Sequence, residues 1–242
     1  MTAFDARPDL EAYGSNALLL FAVQLRWGIT DIDGVAAVAL TDAANDKKCD
    51  LVYVDRDGGR VVVAQGYFAQ NDVAAAPANK AADLNTAVSW LLQGPLGGLP
   101  EILRSAAEEV RDAITQEQIR EFHVWFTHNA PESQNVQDEL EQAAWTADAL
   151  LRERFDGDHI DVSALEVGRA QLERLYERTE PARRDPPAAC RGPRLLSTHR
   201  GLQRRRSRAS PCCPGPLRSP LPQPRRAGPS AAARGARPAR VT

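Results

Sequence analysis

Asp50 and Gln65 stand with fourteen residues between them in "CDLVYVDRDGGRVVVAQGYF", the stretch from Cys49 to Phe68. One offers a carboxylate and the other an amide oxygen. Gln65 is the more informative, because it interrupts an apolar run, and burying an unpartnered amide costs about 1–3 kcal/mol. Something must bond it: a metal ion, the Tyr67 hydroxyl or a neighbouring backbone group. Asp50 has two readings, an acid that closes the end of a strand or a ligand.

A β-hairpin has to position these two side chains. Asp57-Gly58 predicts a two-residue type I′ turn with Arg56 facing Gly59. Facing residue numbers then sum to 115, so Asp50 is expected directly opposite Gln65. Tyr67 follows on the Gln65 face, two residues further along. "RVVVAQGYF" is almost continuously apolar, which predicts a strand buried on both faces of a sheet.

The remaining elements follow from periodicity and from helix stops. Residues 9–27 carry apolar positions at helical spacing, and the Ala-rich residues 32–44 read as a further helix. After Pro77 a helix is predicted from Lys80 to Leu92, stopped by Gly94 and Pro95, and another from Pro100 to Gln116. A strand from Glu121 to Thr127 precedes a long amphipathic helix capped by Ser133. A strand over "HIDVSALEV" and a helix from Gly168 to Glu177 complete the series. Strand, helix and strand in this order imply parallel crossovers. The expected class is therefore α/β, with a mixed sheet built from a hairpin plus strands joined by helical crossovers.

Charge divides the chain in two. Residues 181–242 hold 15 arginines against one acid, Asp185, a net of +14, while residues 1–180 carry −16; together they give the formal −2. The C-terminal segment has 12 of the 17 prolines and no Phe, Tyr, Trp, Ile, Met or Glu. Such a composition buries too little apolar surface to offset chain entropy, so residues 179–242 are expected to be a disordered Arg/Pro-rich tail. Its composition also reads as a GC-rich gene translated out of frame; the alternative is a natural arm that contacts phosphates.

The longest apolar run, "ALLLFAV" at 17–23, is far short of a membrane span, so a cytoplasmic protein with no membrane partner is expected. Cys49 is alone in the folded part, and no disulfide framework is indicated. His123 and His128 read as core or loop-end histidines, and Trp90, Trp125 and Trp145 as core. No Ser-His-Asp, phosphate-loop or dinucleotide pattern occurs.

The hairpin pattern resembles that of PD-(D/E)XK nucleases, with their restriction-endonuclease-like fold. In that superfamily an Asp and a facing Glu, Asp or Gln bind Mg²⁺, and a lysine two residues after the second ligand activates a water. A hard cation takes oxygen ligands and retains waters, one of which attacks phosphorus. The resemblance implies Asp50 and Gln65 as ligands. Tyr67 stands where the lysine belongs, so a lysine displaced to Lys80, or to Lys47 and Lys48, would have to serve. Glu11 on the first helix is the candidate for an additional metal-binding acid.

More specifically, "DKKCDLVYVDRDGGRVVVAQGYF", "NKAADLNTAVSWLL" and "FHVWFTHNAPESQNVQDEL" are similar to the N-terminal region of the AIPR (abortive infection phage resistance) family. Similarity covers residues 10–178, so residues 1–178 are expected to form a nuclease-like N-terminal domain, truncated relative to the family. The resemblance implies Mg²⁺-dependent nucleic-acid cleavage in antiphage defence. Two other readings stand beside it: a catalytically inactive nuclease-fold module that binds or senses a partner, and a truncated product without function.

Overall fold

A hairpin extended by two parallel strands forms the centre of the computed structural model, which describes residues 2–41 and 47–184. Strands β1 (Leu51–Asp55), β2 (Arg60–Tyr67), β3 (Glu121–His128) and β4 (Asp161–Val167) lie in the order β1-β2-β3-β4. β1 pairs antiparallel with β2; β2–β3 and β3–β4 are parallel. The protein is thus α/β with a four-stranded mixed sheet, as the order of elements implied.

Helices cover both faces. On one side α4 (Ala78–Leu92), α5 (Glu101–Thr115) and α6 (Gln134–Phe155) bury Leu84, Val88, Leu103, Val110 and Leu140 against Val61, Val63, Val124 and Phe126. On the other, α2 (Ala17–Trp27), α3 (Ile32–Ala39) and α7 (Arg169–Arg184) pack Leu19, Ile32 and Leu172 against Leu51, Val62, Ala64 and Trp125. Alternate side chains of β2 therefore enter different cores, which is why its sequence is apolar without alternation. Burying one such Val or Leu side chain contributes about 1.5–3 kcal/mol.

Several boundaries differ from the sequence reading. The first helix is preceded by α1 (Thr2–Asp5) and begins as a 3₁₀ segment, Pro8–Asn16, bent at Gly14, whose φ of 51° lies in the left-handed region. α3 ends at Ala39; the expected helical residues 42–44 lie outside the described residues. α7 continues through Arg184, past the boundary expected at Thr179. The proposed tail, with its cysteines and arginines from 185 onwards, lies outside the described residues. Trp125 is buried, but Trp145 is 67% exposed rather than core. Among the described residues no helix is long and apolar enough to cross a membrane.

Ser133 caps α6 as expected, its hydroxyl accepting from Val136 N–H. The hairpin turn is not type I′. Arg56–Gly59 form a four-residue turn closed by the Asp55–Arg60 pair, and of these only Gly59 has a positive φ, 70°. Asp55 Oδ1 accepts from Gly58 N–H at 2.8 Å, holding the loop in this form.

Candidate functional site

The C-terminal ends of β2, β3 and β4 and the start of β1 lie along one edge of the sheet, where open α/β sheets place their ligands. Gln65, Tyr67, His128, Asn129, Glu166 and Asp50 all come from these strand ends.

Asp50 reaches this edge by a kinked route. Lys47 and Lys48 precede it with φ of 57° and 69°, a conformation uncommon for residues other than glycine. Within the strands the expected register holds, from Leu51 facing Ala64 to Asp55 facing Arg60. One step further it breaks. Asp50 N–H donates to the Ala64 carbonyl at 3.0 Å, so Asp50 and Leu51 both address Ala64, in the manner of a β-bulge. The ladder ends before an Asp50–Gln65 pair can form.

The half-buried Asp50 carboxylate turns to Gly66 instead, where Oδ2 accepts the Gly66 N–H at 2.7 Å. A Cβ built on Gly66 would lie 3.7 Å from both Asp50 Oδ2 and the Ser15 carbonyl, on the α2 side of the sheet. Gln65 is 4% exposed, and strand alternation places its side chain on the α4 side, where Oε1 is buried with no hydrogen-bond partner. Tyr67, in the lysine position, is half-buried against that same core.

The other proposed groups are dispersed. Lys48 Nζ lies 3.7 Å from Asp83 Oδ2 on α4, and Lys47 Nζ stands 4.8 Å from the Trp90 ring centroid. Lys80 sits in the first turn of α4, half-buried. Glu11 is exposed on the 3₁₀ segment beside a cleft of about 390 Å³ that also involves Gly14 and Phe68. Among the described residues no three or more His, Cys, Asp and Glu side chains are grouped to hold a metal ion.

Sequence reasoning passed over the strongest polar constellation at this edge. His128 and Glu166 are 0% and 6% exposed, and His128 Nε2 lies 3.0 Å from Glu166 Oε1. His128 Nδ1 faces the Ala130 carbonyl at 3.2 Å and so carries a proton. Ser133 N–H donates to both Glu166 oxygens at 3.1 Å, tying the pair to the start of α6. Burial pushes His128 down to about 4 and Glu166 up to about 7. The coupled pair therefore holds one proton on the Nε2–Oε1 line and is neutral overall. Thirty-eight residues separate the two, and only the parallel register of β3 and β4 unites them.

Two further clamps complete the edge. Asn129 Oδ1 accepts from Ala69 N–H at 2.7 Å, while its Nδ2 donates to the Ala69 carbonyl at 2.9 Å. Glu132 Oε1 accepts from Gln171 N–H at 2.7 Å, in the first turn of α7. These contacts join the loops that follow β2, β3 and β4 into one polar rim.

Comparison with protein-family models, curated proteins and solved structures gives no match.

Proposed function

We propose that this chain carries a nuclease-like module of the kind AIPR phage-resistance proteins have at their N-terminus, kept as a binding or sensing scaffold without cleavage chemistry. The observation that carries this reading is the Asp50 carboxylate's hydrogen bond to Gly66 N–H at 2.7 Å. In the restriction-endonuclease-like arrangement that acid would be free to face a cation.

Mg²⁺, the ion such a scaffold implies, fits the residues poorly. It is held by one or two carboxylates and keeps a near-ideal octahedron. Asp50 is engaged by backbone, Gln65 is uncharged and lies under α4, and Glu11 stands exposed on a separate segment. Tyr67 supplies no cation near phosphate. The charge of −16 on residues 1–180 also opposes approach of a nucleic-acid backbone.

One observation favours the active alternative. Gln65 Oε1 is buried and unpartnered, and a cation would satisfy it. In that reading Asp50 and Gln65, which lie toward opposite faces of the sheet, would have to move together with Glu11 to hold the ion, and Lys80 would replace the missing lysine. Incubation of the full chain with single- and double-stranded DNA and with RNA, with Mg²⁺ or Mn²⁺, decides between the two. The scaffold reading predicts no cleavage; metal-dependent cleavage that Asp50→Ala abolishes in a folded protein would establish the alternative.

A further inference from the structure

Away from the hairpin, α1, α2 and α7 enclose a cavity of about 250 Å³. Its walls include three aromatic rings, Phe4, Phe21 and Tyr176, with Leu172 beside them, and its rim carries Glu173 and Glu177. The Phe4 and Phe21 rings meet at 54° with centroids 5.6 Å apart, so they form a corner rather than a stack. Phe21 already takes part in one cation–π contact, with the Arg7 guanidinium carbon 5.8 Å from its centroid.

The two carboxylates add an independent argument. Glu173 and Glu177 are exposed and one turn apart on α7, and neither side chain has a hydrogen-bond or ion-pair partner among the described residues. Like charges at this spacing repel, destabilising a helix by about as much as an ion pair would stabilise it. Other exposed carboxylates do have cationic partners, as Glu109 and Asp112 have in Arg56 and Asp148 has in Arg152. An apolar aromatic hollow beside two carboxylates is chemically suited to a positive, carbon-rich occupant.

We propose that this cavity binds a small alkylammonium cation. Ring faces attract the charge through their quadrupoles, the apolar walls cover the methyl or methylene groups, and Glu173 and Glu177 neutralise the charge at the rim. A guanidinium or a metal ion would use the carboxylates but leave the apolar walls unfilled. The cavity is separate from the hairpin edge, so this inference does not depend on the reading of that site.

The test is calorimetric titration of the full chain with choline at fixed ionic strength, alongside 3,3-dimethylbutan-1-ol, which has nearly the same shape without the charge. The expected result is saturable one-site binding of choline, with the alcohol about tenfold weaker or more. The double variant Glu173→Gln, Glu177→Gln, confined to exposed positions that do not support the core, is expected to weaken choline about tenfold. Phe4→Leu is expected to weaken it further. Absence of saturable choline binding, equal binding of the alcohol, or unchanged affinity in the folded glutamine variant would each overturn the proposal.

Discussion

Asp50 Oδ2 accepts the Gly66 N–H at 2.7 Å, across the bulge that ends the β1–β2 ladder. A carboxylate so placed closes the open end of the hairpin, because it satisfies a backbone donor beyond the last strand pair. Asp50→Ala is therefore expected to destabilise the fold by about 1.5–3 kcal/mol, the worth of a hydrogen bond to a charged group. Asp50→Asn, which keeps an acceptor, should lose less. Urea unfolding checks this through a lower midpoint at unchanged slope. If Asp50→Ala were as stable as the wild type, the structural role would fail.

Gln65 carries the opposite expectation. Its Oε1 is buried without a partner, so replacing the amide by an apolar side chain of similar length removes a desolvation cost. Gln65→Met is predicted to be neutral or to stabilise by about 1 kcal/mol in metal-free buffer. Thermal unfolding with and without Mg²⁺ measures it; a marked loss of stability would mean that the amide has a partner or a bound ion.

The His128–Glu166 pair predicts a pH profile. Glu166 is raised to about 7 from an ordinary 4.5, so its contribution is lost as pH rises through the folded value. His128 is depressed to about 4 from 6.5, so its contribution is lost as pH falls through the folded value. Between pH 4.5 and 6.5 the folded and unfolded pair each hold one proton, and the pair adds no slope. Above 6.5 the unfolded histidine sheds its proton while the folded pair keeps one to about 7, so stability falls. Glu166→Gln removes the fall above 6.5 and replaces the plateau by a decline toward acid, since His128 alone then resists protonation. Melting temperatures from pH 4 to 8 in both proteins test this. His128→Ala, which strands a buried carboxyl, is expected to cost about 3 kcal/mol.

Asn129 holds the loop after β2 through both ends of its amide, to Ala69 N–H and to the Ala69 carbonyl. Asn129→Ala is expected to cost about 1–3 kcal/mol. It should also speed amide hydrogen exchange at Ala69 and its neighbours more than in β3. Uniform acceleration across the sheet would point instead to global destabilisation alone.

The fold was legible where hydrophobic pattern and topology act together. "RVVVAQ" announced a two-sided strand, and helices between strands announced parallel pairing; both hold because Val61 and Val62 enter different cores. The register from Leu51 to Asp55 was readable from the position of the turn, though the turn type was not, since the Asp55 side chain stabilises a longer loop. Asp50 escaped the reading because a bulge is a local backbone choice with no sequence period. His128 looked like an ordinary core histidine, and nothing within its own strand indicates Glu166. Trp145 looked buried by residue type, but it lies on the outer side of α6, away from Leu140 and Ala144 in the core.

The central claim is that Asp50 serves the hairpin and no cation. Its most direct test is titration of Mg²⁺ into the wild type and Asp50→Ala, followed by melting temperature. The account predicts that Asp50→Ala melts lower at every Mg²⁺ concentration, that neither protein is stabilised by the ion, and that the gap between them stays constant. A Mg²⁺-dependent rise in the wild type that Asp50→Ala lacks would contradict it and restore the carboxylate as a metal ligand.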